Sequence, residues 1–283
     1  MSPLTPPSQD INLKDEMRRA LAAYAAGPGS NPHGTTSDLS MDEELNLHSI
    51  GWEPVEFVGG FSAFSTPSLT WSWGQGEIGA ASYAHEQAFD LALARLHQEA
   101  AAAGGHGVVG VQVTRSIHQS HTEVSLMGTA VRPVGAAAVD PQRVFTSDLS
   151  ARDFTLLMVA GWEPLGLAAG ASFVFAPRRS MGTVLSQQSQ NVELTNFTEA
   201  MYNARETAME RMQSKALAMK GTGVVDVKVF EGPMYFASHA VGFTSWGTVV
   251  RLRADEHRHI TPTVVVPLDD AVVAFEAATL GEV

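Results

Sequence analysis

Ten histidines and no cysteine bound the metal and nucleophile chemistry open to this 283-residue chain. Without cysteine there is no disulfide, no thiolate metal site and no thiol nucleophile. The histidine pair with ligand-like spacing is His118-x-x-His121. Imidazole nitrogen suits zinc and other first-row cations, so His118 and His121 are the candidate metal ligands. Residues three apart on a strand point to opposite faces, so these two can share one ion only from a turn. His257-Arg258-His259 falls in the C-terminal tail and reads as surface, and His106, between two glycines, reads as a turn residue. No G-x-S-x-G elbow, P-loop or H-E-x-x-H is present. Gly104-Gly105-His106-Gly107 follows a helix rather than preceding one, the wrong order for holding a phosphate. The sequence therefore offers no catalytic residues, calls for no cofactor, and is expected not to encode an enzyme. Trp71 and Trp73 stand one residue apart and read as half-buried strand residues or a pocket lining. Met201, Met209, Met212 and Met219 recur at near-helical spacing and read as core.

Charge narrows the partners. Eighteen basic residues stand against 30 acidic ones, a net charge of −12, and no basic run exceeds Arg178-Arg179. Such a surface repels phosphate backbones, so nucleic acid is not an expected partner. No window of 18 uninterrupted apolar residues occurs, so no membrane span is expected. Pro3, Pro6 and Pro7 replace the apolar core of a secretory signal, and with the missing cysteines this points to a cytoplasmic location.

The elements that must position these residues come in pairs. Thr36-Ser37-Asp38-Leu39-Ser40 returns letter for letter as Thr146-Ser147-Asp148-Leu149-Ser150, and Gly51-Trp52-Glu53-Pro54 as Gly161-Trp162-Glu163-Pro164, both 110 residues on. Gly107-Val108-Val109 matches Gly223-Val224-Val225 at an offset of 116, and Gly128-Thr129 matches Gly247-Thr248 at 119. The offset grows by insertions, which are expected in loops.

Each copy reads as a short helix followed by a β-α-β-β unit. Ser40-x-x-Glu43 and Ser150-x-x-Asp153 predict capping boxes for short helices ending at Gly51 and Gly161. First strands follow, Pro54 to Phe64 and Pro164 to Phe175, then a variable loop. Long helices are predicted over Tyr83 to Ala103 and Glu199 to Lys220, capped by Gly104 and Gly221. In the first, Phe89, Leu93, Leu96, Ala100 and Ala103 form one apolar stripe. Strands Val108 to Thr114 and Thr122 to Arg132 close the first unit; Val224 to Phe230 and Ala240 to Arg251 close the second. The fold class is thus α+β: two tandem units, each an antiparallel sheet packed on one long helix. The expected organisation is a Pro-, Ser- and Gly-rich segment over 1–34 with a helix from Leu13 to Ala26, repeats over 35–134 and 145–253, and a tail over 254–283 with an edge strand at Thr263 to Val266.

The long alanine-rich helix, the Gly-x-Gly-Val-Val-Gly-Val run and the strand ending Met127-Gly128-Thr129-Ala130-Val131 resemble the YbjQ-like family, whose members are labelled heavy-metal-binding domain proteins. The second copy matches over Ala200 to Val229 and Trp246-Gly247-Thr248-Val249-Val250. The resemblance implies a core like that of dodecin subunits and ring pentamers for the single-domain members. It supplies no metal-ligand motif to carry over. The implied role is a non-enzymatic, ring-forming assembly or binding protein; the alternative is a metal-ion or small-ligand binder with sites between subunits.

Polar positions kept in both copies are few: Glu53/Glu163, Ser62/Ser172, Asp90/Glu206 and Arg95/Arg211. The first pair reads as a turn or capping residue. The acid followed five residues later by arginine reads as an ion-pair network at a contact or as a solvated helix face. The expected partner is a further copy of the chain, in a homo-oligomer with five-fold symmetry. Two repeats per chain can stack as two rings or alternate around one; three chains could instead close six repeats. The 13 residues from Pro133 to Phe145 span about 40 Å when extended, which permits either arrangement.

Overall fold

The computed structural model describes residues 36–66, 76–118, 120–137, 139–177, 179, 182, 191–233 and 239–253. The expected helix at Leu13 to Ala26, the pair Trp71/Trp73, His257 with His259, and the strand at Thr263 to Val266 lie outside these residues.

In the first repeat, helix α1 (Met41–Ser49) leads into β1 (Trp52–Ser65). The two-residue β2 (Gly76–Glu77) and the long helix α2 (Gly79–Ala102) follow, then β3 (Gly107–Ile117) and β4 (His121–Pro133). A 3-10 turn (Pro141–Arg143) and β5 (Phe145–Thr146) connect to the second repeat. That repeat holds α3 (Ala151–Val159), β6 (Trp162–Phe175), α4 (Thr195–Ala218), β7 (Gly223–Pro233) and β8 (Ala240–Leu252). The order of helix, strand, helix, strand, strand is the same in both, as expected. Both insertions fall between the matched elements: one between β6 and α4, the other between β7 and β8.

Local chemistry explains the ends of these elements. The hydroxyl of Ser40 accepts from the Glu43 amide while the Glu43 carboxylate accepts from the Ser40 amide, a reciprocal capping box. Ser150 caps α3 through the Asp153 amide alone. Both long helices begin about one turn earlier than the sequence suggests. After α2, Gly104 takes the left-handed conformation at φ 84°. After α4 that conformation falls on Lys220 at φ 61°, not on Gly221 as expected. Gly221 is small for a different reason: a Cβ there would meet Cγ1 of Val249 at 2.2 Å.

Each helix lies on its own sheet through a row of small residues. Ala88, Ala92, Leu96 and Ala100 of α2 are fully buried, and Ala200, Ala204, Ala208 and Met212 of α4 nearly so. The strands answer with glycine. A Cβ on Gly60 would lie 2.0 Å from the Ala92 carbonyl oxygen, and one on Gly170 2.1 Å from that of Ala208. The glycines in these first strands therefore set the depth of the helix; β1 and β6 run on through them, with the irregularity earlier, beside Pro54 and Pro164.

The two sheets are not self-contained. Their strand orders are β1-β4-β3-β5 and β2-β6-β8-β7. The strand preceding repeat 2, β5, joins the sheet of repeat 1, parallel to β3. The strand preceding α2, β2, joins the sheet of repeat 2, antiparallel to the end of β6. The connection between the repeats therefore ends in a two-residue strand of the first sheet.

Candidate functional site

The repeats meet through a contact whose two sides differ. From repeat 1 come the β3 edge, β2 and the outer face of α2. From repeat 2 come the segment 145–149 and the outer face of its sheet.

The segment Thr146-Ser147-Asp148-Leu149 is a rail shared by both units. Its backbone serves repeat 1: Ser147 N–H donates to the Val108 carbonyl, Val111 N–H to that of Ser147, and Gly110 N–H to that of Leu149, at 2.8, 3.0 and 2.8 Å. Its side chains serve repeat 2. Thr248 Oγ1 donates to Asp148 at 2.6 Å, Lys228 Nζ donates to the same carboxylate at 2.8 Å, and the Leu167 amide donates to Thr146 Oγ1 at 3.0 Å. Gly110, at φ 65°, makes the bulge that exposes two successive N–H groups to the rail.

Helix α2 is covered on both sides. Its outer residues Ile78, Ala81 and Phe89 are buried against Ala169, Ala171 and Phe173 of the second sheet. Ile78 N–H donates to the Phe173 carbonyl at 2.6 Å, and Ser82 Oγ accepts from the Phe173 amide at 3.1 Å. His85 lies in this seam with its ring edge-on to Phe173, 5.7 Å between centroids. Burial, assisted by the nearby Arg115 and Lys215 charges, lowers its pKa to about 3, so it stays neutral. Arg115 itself, pushed down to about 10 by burial, crosses the boundary to sit 4.1 Å over the Phe230 ring.

Ion pairs rim the seam. Arg211 of α4 meets Glu77 at 2.6 Å, lies 4.0 Å from Glu86, and donates to the Ala171 carbonyl at 2.6 Å. Burial opposes ionisation of Glu77, but the Arg211 hydrogen bond and charge together with hydrogen bonds from Ser82 and Ser172 outweigh it and hold the carboxyl below its ordinary range. Lys215 pairs with Asp90 at 2.9 Å. Of the repeated acids and arginines, Asp90 and Arg211 pair across the contact, with Lys215 and Glu77 rather than with each other, while Arg95 donates to the Phe61 carbonyl of its own repeat. Glu53 and Glu163 are neither caps nor turn residues. They are cross-strand partners of Arg132 and Arg251 and form ion pairs with them. Ser62 and Ser172 are both buried.

The expected metal ligands do come together. His118 follows β3 and His121 opens β4, and this turn stacks their rings at 4.5 Å. Glu123 lies 3.0 Å from His121 Nε2 and 3.6 Å from that of His118. One donor atom from each of the three falls within 4.8 Å of the others. A hydrogen bond from His121 lowers the pKa of the Glu123 carboxyl, keeping it an anion. Two imidazoles and a carboxylate fit a borderline divalent cation. Sequence reading missed Glu123, although, two residues after His121 on β4, it shares that histidine's strand face; the turn then brings His118 to both. His106 is pinned elsewhere, 2.6 Å from the Ala137 carbonyl. The buried seam, with Ser82, His85 and Glu77, was also not foreseen; its one sequence signal is the five-letter identity around the rail.

Comparison with known proteins follows the same lines. The family model described as "Putative heavy-metal-binding", YbjQ, matches residues 67–133. A Mycobacterium tuberculosis protein named as an encapsulin nanocompartment protein is 35% identical over 241 residues, 83% of this chain and 92% of its own length. A UPF0145 protein of Halorubrum lacusprofundi is 33% identical over 94 residues, 32% of this chain and 86% of its own. No solved structure matches. No described helix is long and apolar enough to cross a membrane. With the family's strand and helix motifs present twice in one order, the chain belongs to the YbjQ-like family in a tandem, two-repeat form.

Proposed function

We propose that this chain is a non-enzymatic, cytoplasmic self-assembling protein that closes into a ring of repeats. The observation that carries the reading is the seam itself. Its two sides differ, so it is a heterologous contact, the kind that generates rings when its rotation closes. The name of the tuberculosis relative, an encapsulin nanocompartment protein, supports an assembly role. A side-by-side seam of this kind favours repeats alternating around one ring over two stacked rings. Five chains, the number implied by the ring-pentamer resemblance, would weigh about 151 kDa, five times 30.2 kDa. Native mass spectrometry tests the reading. A five-chain species supports ring and copy number together; a three-chain species near 91 kDa keeps the ring and replaces the number. A monomer at micromolar concentration would remove the reading.

A second reading has its own observation, the convergence of His118, His121 and Glu123 at the β3–β4 turn. In this reading the assembly displays one divalent-cation site per chain. Titration calorimetry with zinc checks it: one equivalent should bind, and His118→Ala with His121→Ala should abolish the signal. Zinc heat unchanged in that variant would refute it.

A further inference from the structure

The seam between the repeats has unused counterparts at both ends of the same chain. On the repeat-2 side, β7 is the last strand of its sheet among the described residues. Its residues Asp226 and Val227 correspond to Gly110 and Val111, and Asp226 keeps the bulge and the positive φ, 53°. An aspartate held in that conformation presents the same two N–H groups that the rail satisfies in repeat 1. The valine row records the difference. Val108, Val109 and Val111 are buried, whereas their counterparts Val224 and Val225 are only half-buried and Val227 is exposed at 38%.

On the repeat-1 side, the segment Thr36-Ser37-Asp38 is a second rail without an edge. It binds its own unit as Asp148 does, the Asp38 carboxylate accepting from Thr129 Oγ1. Yet Thr36, Ser37 and Asp38 are exposed, while their identical counterparts Thr146, Ser147 and Asp148 are buried. The outer face of the first sheet is likewise uncovered. Phe57 and Phe61 are exposed at 38 and 55%, where Leu167 and Ala171 are buried beneath α2.

The helix that matches α2 has a free face to cover them. In α4, Leu194 and Tyr202 are exposed where Ile78 is buried and Glu86 half-buried. Thr198 keeps the hydroxyl of Ser82 but turns it back to Glu193 at 2.8 Å. Of the two rim pairs, Arg211–Glu77 is kept, whereas Lys215 and Asp90 are replaced by Glu99 and Glu206. Glu193 stands for Glu77, and Arg95 stands for Arg211, donating to the Phe61 carbonyl as Arg211 donates to that of Ala171.

The rail, the strand edge, the helix face and the Arg95–Glu193 rim pair at one end therefore match receiving surfaces at the other, by the pattern already filled at the internal seam. We infer that the occupant of both is a second copy of this chain: residues 36–40 of one chain run along β7 of the preceding one, whose α4 covers the open face around Phe57 and Phe61. Glu193 of one chain then pairs with Arg95 of the next, and the exposed aromatics and the bare β7 edge disappear together. The inference rests on the proposed self-assembly and names its interface.

Because the chain has no cysteine, an introduced pair is the only route to a disulfide. Val108 and Thr146 are ladder partners across the internal seam, so Val224 and Thr36 should be partners across the external one. Thr36→Cys with Val224→Cys, oxidised in the assembled state, should give a non-reducing gel ladder at multiples of 30.2 kDa. Assembled chains by native mass that give no ladder would overturn the interface and leave the self-assembly reading standing; monomers by both methods would overturn both. Charge reversal tests the same contact without cysteine, should that pair fail to fold. Arg95→Glu sets a carboxylate against Glu193 and should weaken assembly roughly tenfold. Adding Glu193→Arg should restore it. Equal assembly of Arg95→Glu and the parent chain would count against the interface.

Discussion

Arg211 reaches across the repeat boundary to Glu77, with 2.6 Å between guanidinium and carboxylate, while its counterpart Arg95 has an adjacent carbonyl and no carboxylate partner among the described residues. That asymmetry is the simplest statement of how the chain is built. One contact is filled internally, and most of its elements recur, exposed, at the two ends of the described residues.

A stability difference follows. Arg211→Ala removes the bond to Ala171 and the pair with Glu77, and should cost roughly 1–2 kcal/mol. Arg95→Ala should cost well under half of that in dilute, unassembled chains, and the same amount once chains assemble. Urea unfolding at two protein concentrations checks this. Equal costs in the dilute chain would contradict it.

The glycine–alanine approach is the least tolerant point of each unit. Gly60→Ala and Gly170→Ala drive a methyl group into a helix carbonyl, so each should cost about 3 kcal/mol or more. Ala92→Leu and Ala208→Leu, at fully buried positions on the same approach, should cost roughly 1–3 kcal/mol each. Thermal melts measure both, and unchanged melting would mean that helix and strand are not in contact.

Acid should loosen the seam. The unfolded His85 imidazole takes up its proton near 6.5 and the folded one only near 3. Between those values the unfolded chain binds more protons, so falling pH favours it by up to about 1.4 kcal/mol per unit. The stability is present above 6.5 and lost on the way down to 3. His97, lowered by burial, acts in the same direction. His85→Met, which installs the residue found at the equivalent position 201, should flatten denaturation midpoints between pH 6.5 and 4. An unchanged slope would place His85 in solvent.

Much of the fold was legible in the sequence because its determinants are local. Ser40 and Glu43 announce a helix start, the stripe from Phe89 to Ala103 announces a buried helix face, and matched offsets announce duplication. Gly221 was misread because a glycine after a helix is the usual cap, whereas here Val249 requires it and Lys220 takes the left-handed turn. Glu53 and Glu163 were misread because a Gly-Trp-Glu-Pro string looks like a turn, while their partners Arg132 and Arg251 lie about 80 residues away or more. The exchange of β2 and β5 between sheets was not legible, since two-residue strands carry no periodicity. The turn placing His118 beside His121 was foreseen as a requirement; Glu123, on the same strand face as His121 by its two-residue spacing, was legible but overlooked.

Amide hydrogen exchange on the assembled, full-length chain tests the central claim most directly. Gly110 and Val111 N–H groups are closed by the internal rail, at 2.8 and 3.0 Å. If residues 36–40 of a neighbouring chain close the β7 edge in the same way, Asp226 and Val227 should exchange as slowly as Gly110 and Val111, and the protection should disappear on dilution to monomer. Fast exchange at Asp226 and Val227 in the assembled protein, with Gly110 and Val111 protected, would contradict the account.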